Sequence, residues 1–329
     1  MKPQSKTLNQ LIETFNKRLQ IIYSIREAHN IAQQAIMHLF EFQNTVDIII
    51  GQNSEVVERD VLYALDFLTE LEKGKPLQHL IGKVQFATLD LKVNEQVLIP
   101  RPETEELVYL IKEMYAADFS GNIIDIGTGS GCIPLAMKSF FNNAKVVGID
   151  ISDTALEIAK ENAQINNLEV DFLNYNILKF QSKKNKIRHP ELDSGSFPDD
   201  AYHEQIPNQV GKDRKLFRPY FEDGNLSFTI IISNPPYIPI SEKELMHRNV
   251  VEHEPSIALF TPDNDPLLFY RTILEWSQEH LNENGKVFFE LHENYAEQTL
   301  ELALNFYPNS ELKEDMQGKQ RFLVCSKTA

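Results

Sequence analysis

The chain has 329 residues, 42% of them hydrophobic, with 48 acidic against 32 basic side chains and a formal net charge of −16. That length suits a domain of about 200 residues plus a smaller one, and the acidic balance disfavours a polyanionic partner, whose phosphates need a basic footprint. No apolar run reaches the ~18 residues of a membrane span and no apolar core follows a basic start, so the expectation is a cytoplasmic protein with no membrane and no stable nucleic-acid partner. The two cysteines, Cys132 and Cys325, form no C-x-x-C pair, and the nine histidines show no ligand spacing, which argues against a metal site.

Residues 1 to about 75 hold few glycines or internal prolines. Apolar residues recur at helical spacing, at Leu8, Leu11, Ile12, Phe15 and Leu19, then Ile31, Ala35, Met37 and Leu39, then Val61, Leu62, Leu65, Leu68 and Leu71. This pattern predicts a small helical bundle with the stripe as its own core. Gly74 to Gly82 leads into Val84–Val93 and Val97–Ile99, whose alternation about an Asn94-Glu95 break predicts a β-hairpin. In Ile99-Pro100-Arg101-Pro102-Glu103-Thr104-Glu105, Pro102 suits a first helical turn and the acids complement a helix dipole.

Asn122-Ile123-Ile124-Asp125-Ile126 reads as a short buried strand running into the turn Gly127-Thr128-Gly129-Ser130-Gly131, with a helix from Cys132 to Phe141 behind it. Glycines there let a ligand approach the backbone, and the helix N-terminus favours polar or anionic groups. A second strand, Lys145 to Asp150, ends in an acid that could accept both ribose hydroxyls of a nucleoside. Ser152 or Asp153 could cap the following helix instead, which frees Asp150. Cys132, directly after the turn, reads as a small packed residue.

A third strand spans Val170 to Asn176. From 181 to 223 the composition turns polar and nearly balanced in charge, with several prolines and little periodicity, and predicts an inserted mobile surface loop. The apolar run Phe228–Ser233 then ends in Asn234-Pro235-Pro236-Tyr237, an amide and an aromatic face at the carboxyl end of a buried strand. The prolines lack N–H donors and fix φ, so an incoming NH2 could give one hydrogen to Asn234 Oδ1 and one to the Pro235 carbonyl while Tyr237 stacks on the planar group. A helix over Leu267–Glu279, a strand over Gly285–Leu291, a helix over Tyr295–Asn305 and a last strand over Arg321–Cys325 complete an α/β layer pattern.

The alternating Gly127, Gly129 and Gly131 behind Asp125 resemble the S-adenosylmethionine site of class I methyltransferases. Asn234-Pro235-Pro236-Tyr237 resembles the amino-methyltransferases that alkylate exocyclic or amide nitrogens. Residues 99–105 and Val251-Glu252-His253-Glu254-Pro255-Ser256-Ile257-Ala258-Leu259-Phe260 are similar to segments of the PrmC/HemK family, the N5-glutamine methyltransferases of peptide chain release factors. The likeness runs from about residue 74 to the C-terminus apart from the insertion.

It implies a Rossmann-like methyltransferase domain over 106–329, a β-hairpin linker over 76–105, and a helical N-terminal domain over 1–75 that helps engage the substrate. It also implies an antiparallel sheet edge formed by the final two strands. The cofactor would be S-adenosyl-L-methionine, held by Gly127, Thr128, Gly129, Ser130, Gly131, Asp150 and Asn234. The substrate would be the glutamine of the Gly-Gly-Gln loop of class 1 release factors, held by Asn234, Pro235, Pro236 and Tyr237, with Asn234 and Tyr237 catalytic. Arg101, Glu103 and Thr104 are open between a plain helix start and a lid over the methionine end of the cofactor. Two departures from the family pattern are Asn176, where many relatives end the strand in an acid, and Thr261–Pro266 in place of a glycine-rich turn. A nucleic-acid amino-methyltransferase acting on adenine or guanine and a noncatalytic binding protein are the rival readings.

Overall fold

A computed structural model describes residues 6–180 and 227–327; the predicted insertion, 181–223, lies outside them. The described residues form two compact units, one of residues up to Lys83 together with His247–His253, the other of Val84–Met246 and Glu254 onward.

The first unit is built from helices α1 (Leu8–Leu19), α2 (Ile25–Leu39), α3 (Thr45–Gly51) and α4 (Glu58–Glu72), then the short α5 (Leu77–Ile81), with the two-residue strands β1 (Lys6–Thr7) and β2 (Glu55–Val56) paired antiparallel. Thr7 and Gln10 form a reciprocal capping box on α1, Asn44 and Asp47 form another on α3, and Ser24 caps α2. Leu11, Phe15, Leu19, Leu68 and Leu71 meet Ala28, Ala32, Ala35 and Ile36 in the core. The alanines let α1 and α2 approach closely. Leu62, predicted for this core, is instead 54% exposed. The predicted boundary near residue 75 falls short of the observed one because Leu77 is buried in the same cluster. A short helix, α9 (Arg248–His253), also belongs to this unit. Tyr23 stacks on His247 with ring centroids 5.6 Å apart and accepts a hydrogen bond from Asn249.

The second unit is organised by a seven-stranded sheet. Its strands are β5 (Asn122–Ile126), β6 (Lys145–Asp150), β7 (Asp171–Asn174), β8 (Phe228–Ser233), β11 (Leu281–Glu290), β12 (Asn309–Glu314) and β13 (Gln320–Ser326), in the order β12-β13-β11-β8-β5-β6-β7. Neighbours from β7 to β11 pair in parallel, and β13 is antiparallel to both β11 and β12. Outside this sheet the short strands β9 (Ile238–Pro239) and β10 (Phe260–Thr261) pair in parallel, with the short helix α10 (Ser256–Leu259) leading into β10.

Period-two alternation drives the layering. Ile123, Ile230, Ile232 and Phe288 face a core containing Leu107 and Ile111 of α6 (Pro102–Met114), Leu135 and Met137 of α7 (Cys132–Phe140), and Leu156 and Ala159 of α8 (Asp153–Ile165). Ile124, Ile231 and Phe289 face the other, with Tyr270, Ile273 and Trp276 of α11 (Leu268–His280) and Ala296 and Ala303 of α12 (Ala296–Leu304). This is the class I methyltransferase architecture.

Three details differ from the sequence reading. The two-stranded ribbon pairs β3 (Lys83–Phe86) with β4 (Leu89–Lys92), so its turn is Ala87-Thr88, with Ala87 at φ 52°. Asn94 instead closes a second turn after the ribbon, its Oδ1 accepting from the Gln96 N–H. Strand β12 was not predicted, because an edge strand reading Asn-Ser-Glu-Leu-Lys-Glu carries a single apolar residue, Leu312, and so shows no period-two apolar pattern. Strand β7 stops at Asn174 because Asn176 turns the chain, its Oδ1 accepting from the Leu178 N–H at 3.0 Å.

Gly131 joins β5 to α7 at φ 80°, and a Cβ there would lie 3.0 Å from the Ala159 Cβ of α8. Gly131→Ala therefore combines a left-handed backbone penalty with overpacking of α7 against α8. It is expected to destabilise the chain by about 2–4 kcal/mol, read as a lower denaturant midpoint by circular dichroism.

Candidate active site

The sheet order reverses between β5 and β8. The chain leaves β5 for β6 on one side and returns through β8 on the other, and ligands of open α/β sheets bind in the crevice beyond such strand ends. Both motifs singled out from the sequence follow these two strands. Pairing of Ile123, Ile124 and Asp125 with Ile230, Ile231 and Ile232 sets their ends level, and the Ser233 hydroxyl donates to the Ile126 carbonyl at 2.7 Å.

After β5, the N–H groups of Gly127 and Thr128 both donate to the Ile149 carbonyl of β6 at 2.9 Å. Gly129 donates its N–H to Asp150 Oδ2 at 2.8 Å and Ser152 donates its own to Asp150 Oδ1 at 2.9 Å. Ser152 also caps α8 through its hydroxyl. Asp150 therefore does not cap that helix; its carboxylate braces the glycine turn through backbone donors. Its carboxyl is shifted upward by desolvation, against which the backbone donors act.

Gly127 and Gly129 lie at φ 79° and 52°, with nothing within 4 Å of where a Cβ would stand. The turn thus presents an open backbone cradle. Thr128 and Ser130 point their side chains into the protein, being 3% and 2% exposed. The Thr128 hydroxyl sits over Gly148, where a Cβ would approach it to 2.7 Å. Any ligand above the turn would meet the backbone of these two residues.

Beneath the turn Asp125 is fully buried, and burial pushes its carboxyl up to about 7, partly offset by the Thr128 hydroxyl. Asn162, also fully buried, donates to the Ser130 carbonyl and brackets Lys92 of β4, accepting from its N–H and donating to its carbonyl. Cys132 is packed, its thiol pushed up to about 12 by burial, which suits a structural residue.

The end of β8 is held from behind. Asn234 donates through Nδ2 to Thr104 Oγ1 at 3.1 Å, and Thr104 donates to Glu290 Oε2 at 2.6 Å. Tyr237 donates its hydroxyl to Glu290 Oε1 at 3.2 Å, and its ring forms a T-shaped pair with His292, with centroids 5.8 Å apart. Tyr270 donates to the backbone carbonyl of Glu290 at 3.0 Å. Asn234 Oδ1 accepts nothing among the described residues. Glu290 is 1% exposed and its carboxyl is pushed up to about 7, by desolvation first, against the two hydroxyl donors.

Thr104 therefore contacts the Asn-Pro-Pro-Tyr segment directly. Arg101, at the start of α6, pairs with the buried Glu254 at 2.5 Å, and Glu254 also accepts from the Ile99 N–H at 3.2 Å. The family-like segments 99–105 and 251–260 meet in that ion pair. Glu290, Ser233 and Asn162 were missed in the sequence. The available signal for Glu290 was positional, an acid closing a buried strand as Asp150 closes β6.

The open backbone cradle at Gly127 and Gly129, with the Asp150 carboxylate at the end of the next strand, fits the hydroxyl-bearing ribose of S-adenosylmethionine. Fold and turn together define a class I methyltransferase, and residues 118–189 match a family model described as a methyltransferase domain. The chain is 36% identical over 292 residues to the release factor glutamine methyltransferase of Flavobacterium psychrophilum, covering 88% of both chains. It is 31% identical over 327 residues to the protein of the same name from Bacteroides thetaiotaomicron, covering 97% of this chain and all of that one. The chain belongs to the release factor glutamine methyltransferase family. Among the described residues no helix is long and apolar enough to cross a membrane.

The raised carboxyls of Glu290 and Asp125 give a signed expectation for stability. Folded values of about 7 lie above the ordinary carboxylate range, so the neutral forms favour the fold. That contribution is complete below about pH 4, the unfolded range, and is lost as pH rises through about 7. Melting temperature should fall between pH 5 and 8, and Glu290→Gln, which cannot ionise, should flatten part of that slope in a thermal-shift series.

Proposed function

We propose that this chain transfers the methyl group of S-adenosylmethionine to the side-chain amide nitrogen of a glutamine in peptide chain release factors, the target being the Gly-Gly-Gln glutamine of the class 1 factors. The observation that carries the reading is the polarity of Asn234. Its Nδ2 is engaged by Thr104, so its Oδ1 faces the crevice as an acceptor, the polarity that a carboxamide NH2 requires.

In this reading Asn234 Oδ1 and the Pro235 carbonyl each accept one hydrogen of the substrate amide. With both N–H bonds directed at the protein, the nitrogen lone pair is turned toward the neighbouring glycine cradle. Tyr237, its hydroxyl tied to Glu290, lays its ring against the plane of the amide. Bound S-adenosylmethionine would supply an electrophilic methyl group and be left as S-adenosylhomocysteine, while the amide nitrogen gives up one of its two hydrogens as a proton to water; the chain's own contribution is alignment, worth several kcal/mol in well-oriented cases. Gly127, Gly129 and Gly131, with Thr128 and Ser130 through their backbone, form the cofactor's bed, and Asp150 takes its ribose.

The roles of Asn234 and Asp150 should separate in titration and turnover. Asn234→Ala is expected to lower kcat by about 100-fold or more while the cofactor Kd stays within a few-fold of wild type. Asp150→Ala should chiefly weaken cofactor binding. The substrate is tested by incubating the full chain with methyl-labelled S-adenosylmethionine and, separately, a class 1 release factor, its Gly-Gly-Gln→Gly-Gly-Ala variant, and total RNA or DNA. Label on the wild-type factor alone is the expected result; label on nucleic acid alone would move the Asn234 site to base chemistry.

A further inference from the structure

We propose that Glu290 is the positioning residue of this site: acting through Thr104, it dictates which end of the Asn234 amide faces the substrate, and its second oxygen anchors Tyr237. The inference rests on the reading of Asn234 as the glutamine acceptor and adds what sets its orientation.

The hydrogens available to Glu290, Thr104 and Asn234 decide the orientation. An ionised carboxylate only accepts. The single hydroxyl hydrogen of Thr104, 2.6 Å from Glu290 Oε2, is then committed to Glu290. Toward Asn234, at 3.1 Å, the Thr104 oxygen can only accept. The group facing it must be the Asn234 NH2, and Oδ1 is turned into the crevice. Glu290 Oε1 meanwhile accepts from Tyr237, so one carboxylate fixes both the amide and the aromatic member of the motif.

Protonating Glu290 at Oε2 reverses the chain. The carboxyl hydrogen is donated to Thr104, whose own hydrogen becomes available to the Asn234 oxygen. The amide then gains by turning over, and it presents NH2 to a substrate that also offers NH2. Two donors facing each other forfeit the hydrogen bond.

Glu290 is placed for this change to occur near neutral pH. It sits at the buried end of β11, and desolvation is the main force raising its carboxyl, with the Thr104 and Tyr237 hydroxyls opposing. Glu103, one residue before Thr104 on α6, raises it further, and Arg321 of β13 lowers it. Tyr270 of α11 holds the backbone carbonyl, and the thiol of Cys132 on α7 feels the Glu290 charge.

Two measurements test the assignment on the full chain. The first needs no substrate. The Asn234 side-chain amide resonance, identified by its loss in Asn234→Ala, should shift between pH 5.5 and 8.5 with an inflection that disappears in Glu290→Gln and in Thr104→Val. A resonance that does not move with pH, or moves equally in those variants, overturns the proposal.

The second reads methylation of a class 1 release factor. Thr104→Val is expected to lose about 100-fold in kcat with cofactor Kd unchanged, and Thr104→Ser, which keeps the hydroxyl, should recover to within a few-fold of wild type. Wild-type kcat should fall on the acid side of the Glu290 titration, and Glu290→Gln should lack that limb. Equal activity of Thr104→Val and Thr104→Ser, or the same acid limb in wild type and Glu290→Gln, would overturn the role. A wild-type chain that leaves the release factor unlabelled would overturn the substrate reading, while the resonance titration still decides the orientation mechanism.

Discussion

The site depends on the parallel pairing of β5 with β8. These strands lie about a hundred residues apart in the chain, yet their pairing brings Gly127 and Asn234 to one crevice, and Ser233 locks the two strand ends together through the Ile126 carbonyl. A slip of one residue would turn every side chain of β8 to the opposite face. It would exchange Ile230 and Ile232 with Ile231 between the two cores and swing Asn234 away from Thr104. The hydrophobic alternation that stabilises the sheet therefore also aims the amide.

A second constraint follows from the cost of burying charge. Asp125 and Glu290 are carboxyls held away from water at the carboxyl ends of neighbouring parts of the sheet, and both are displaced toward neutrality. Burial of this kind costs stability when the group ionises, and such acids persist where a site uses them. At Glu290 the two demands oppose each other. The neutral form favours the fold, and in the proposed mechanism the ionised form would give Asn234 the polarity that a glutamine amide needs. Glu254 meets a similar cost differently, its buried carboxylate paired with the half-buried Arg101 and braced by the Ile99 N–H, which fixes the approach of the chain to α6 and hence the place of Thr104.

Much of this arrangement was legible in the sequence because its signals are local. The alternating glycines, the acid ending β6, and Asn-Pro-Pro-Tyr behind an apolar run each carry a mechanism within ten residues. The helical stripe of the first unit was legible for the same reason. What stayed hidden was nonlocal or compositionally mute. Glu290 reads as the end of one more buried strand until Thr104 and Tyr237 converge on it. Asn162 lies mid-helix with nothing to mark its bridge between Ser130 and Lys92. The ribbon turn fell at Ala87 because a non-glycine residue adopts positive φ there, against the usual turn chemistry. Strand β12 owes its place chiefly to pairing with β13, since Leu312 is its one apolar residue.

The most direct measurement is a structure of the chain with S-adenosylhomocysteine and a glutamine-bearing peptide. The glutamine amide nitrogen should lie within hydrogen-bond reach of Asn234 Oδ1 and the Pro235 carbonyl, with Nδ2 still on Thr104 and the Tyr237 ring against the amide plane. A glutamine bound elsewhere, or an Asn234 amide turned to present NH2, would contradict it.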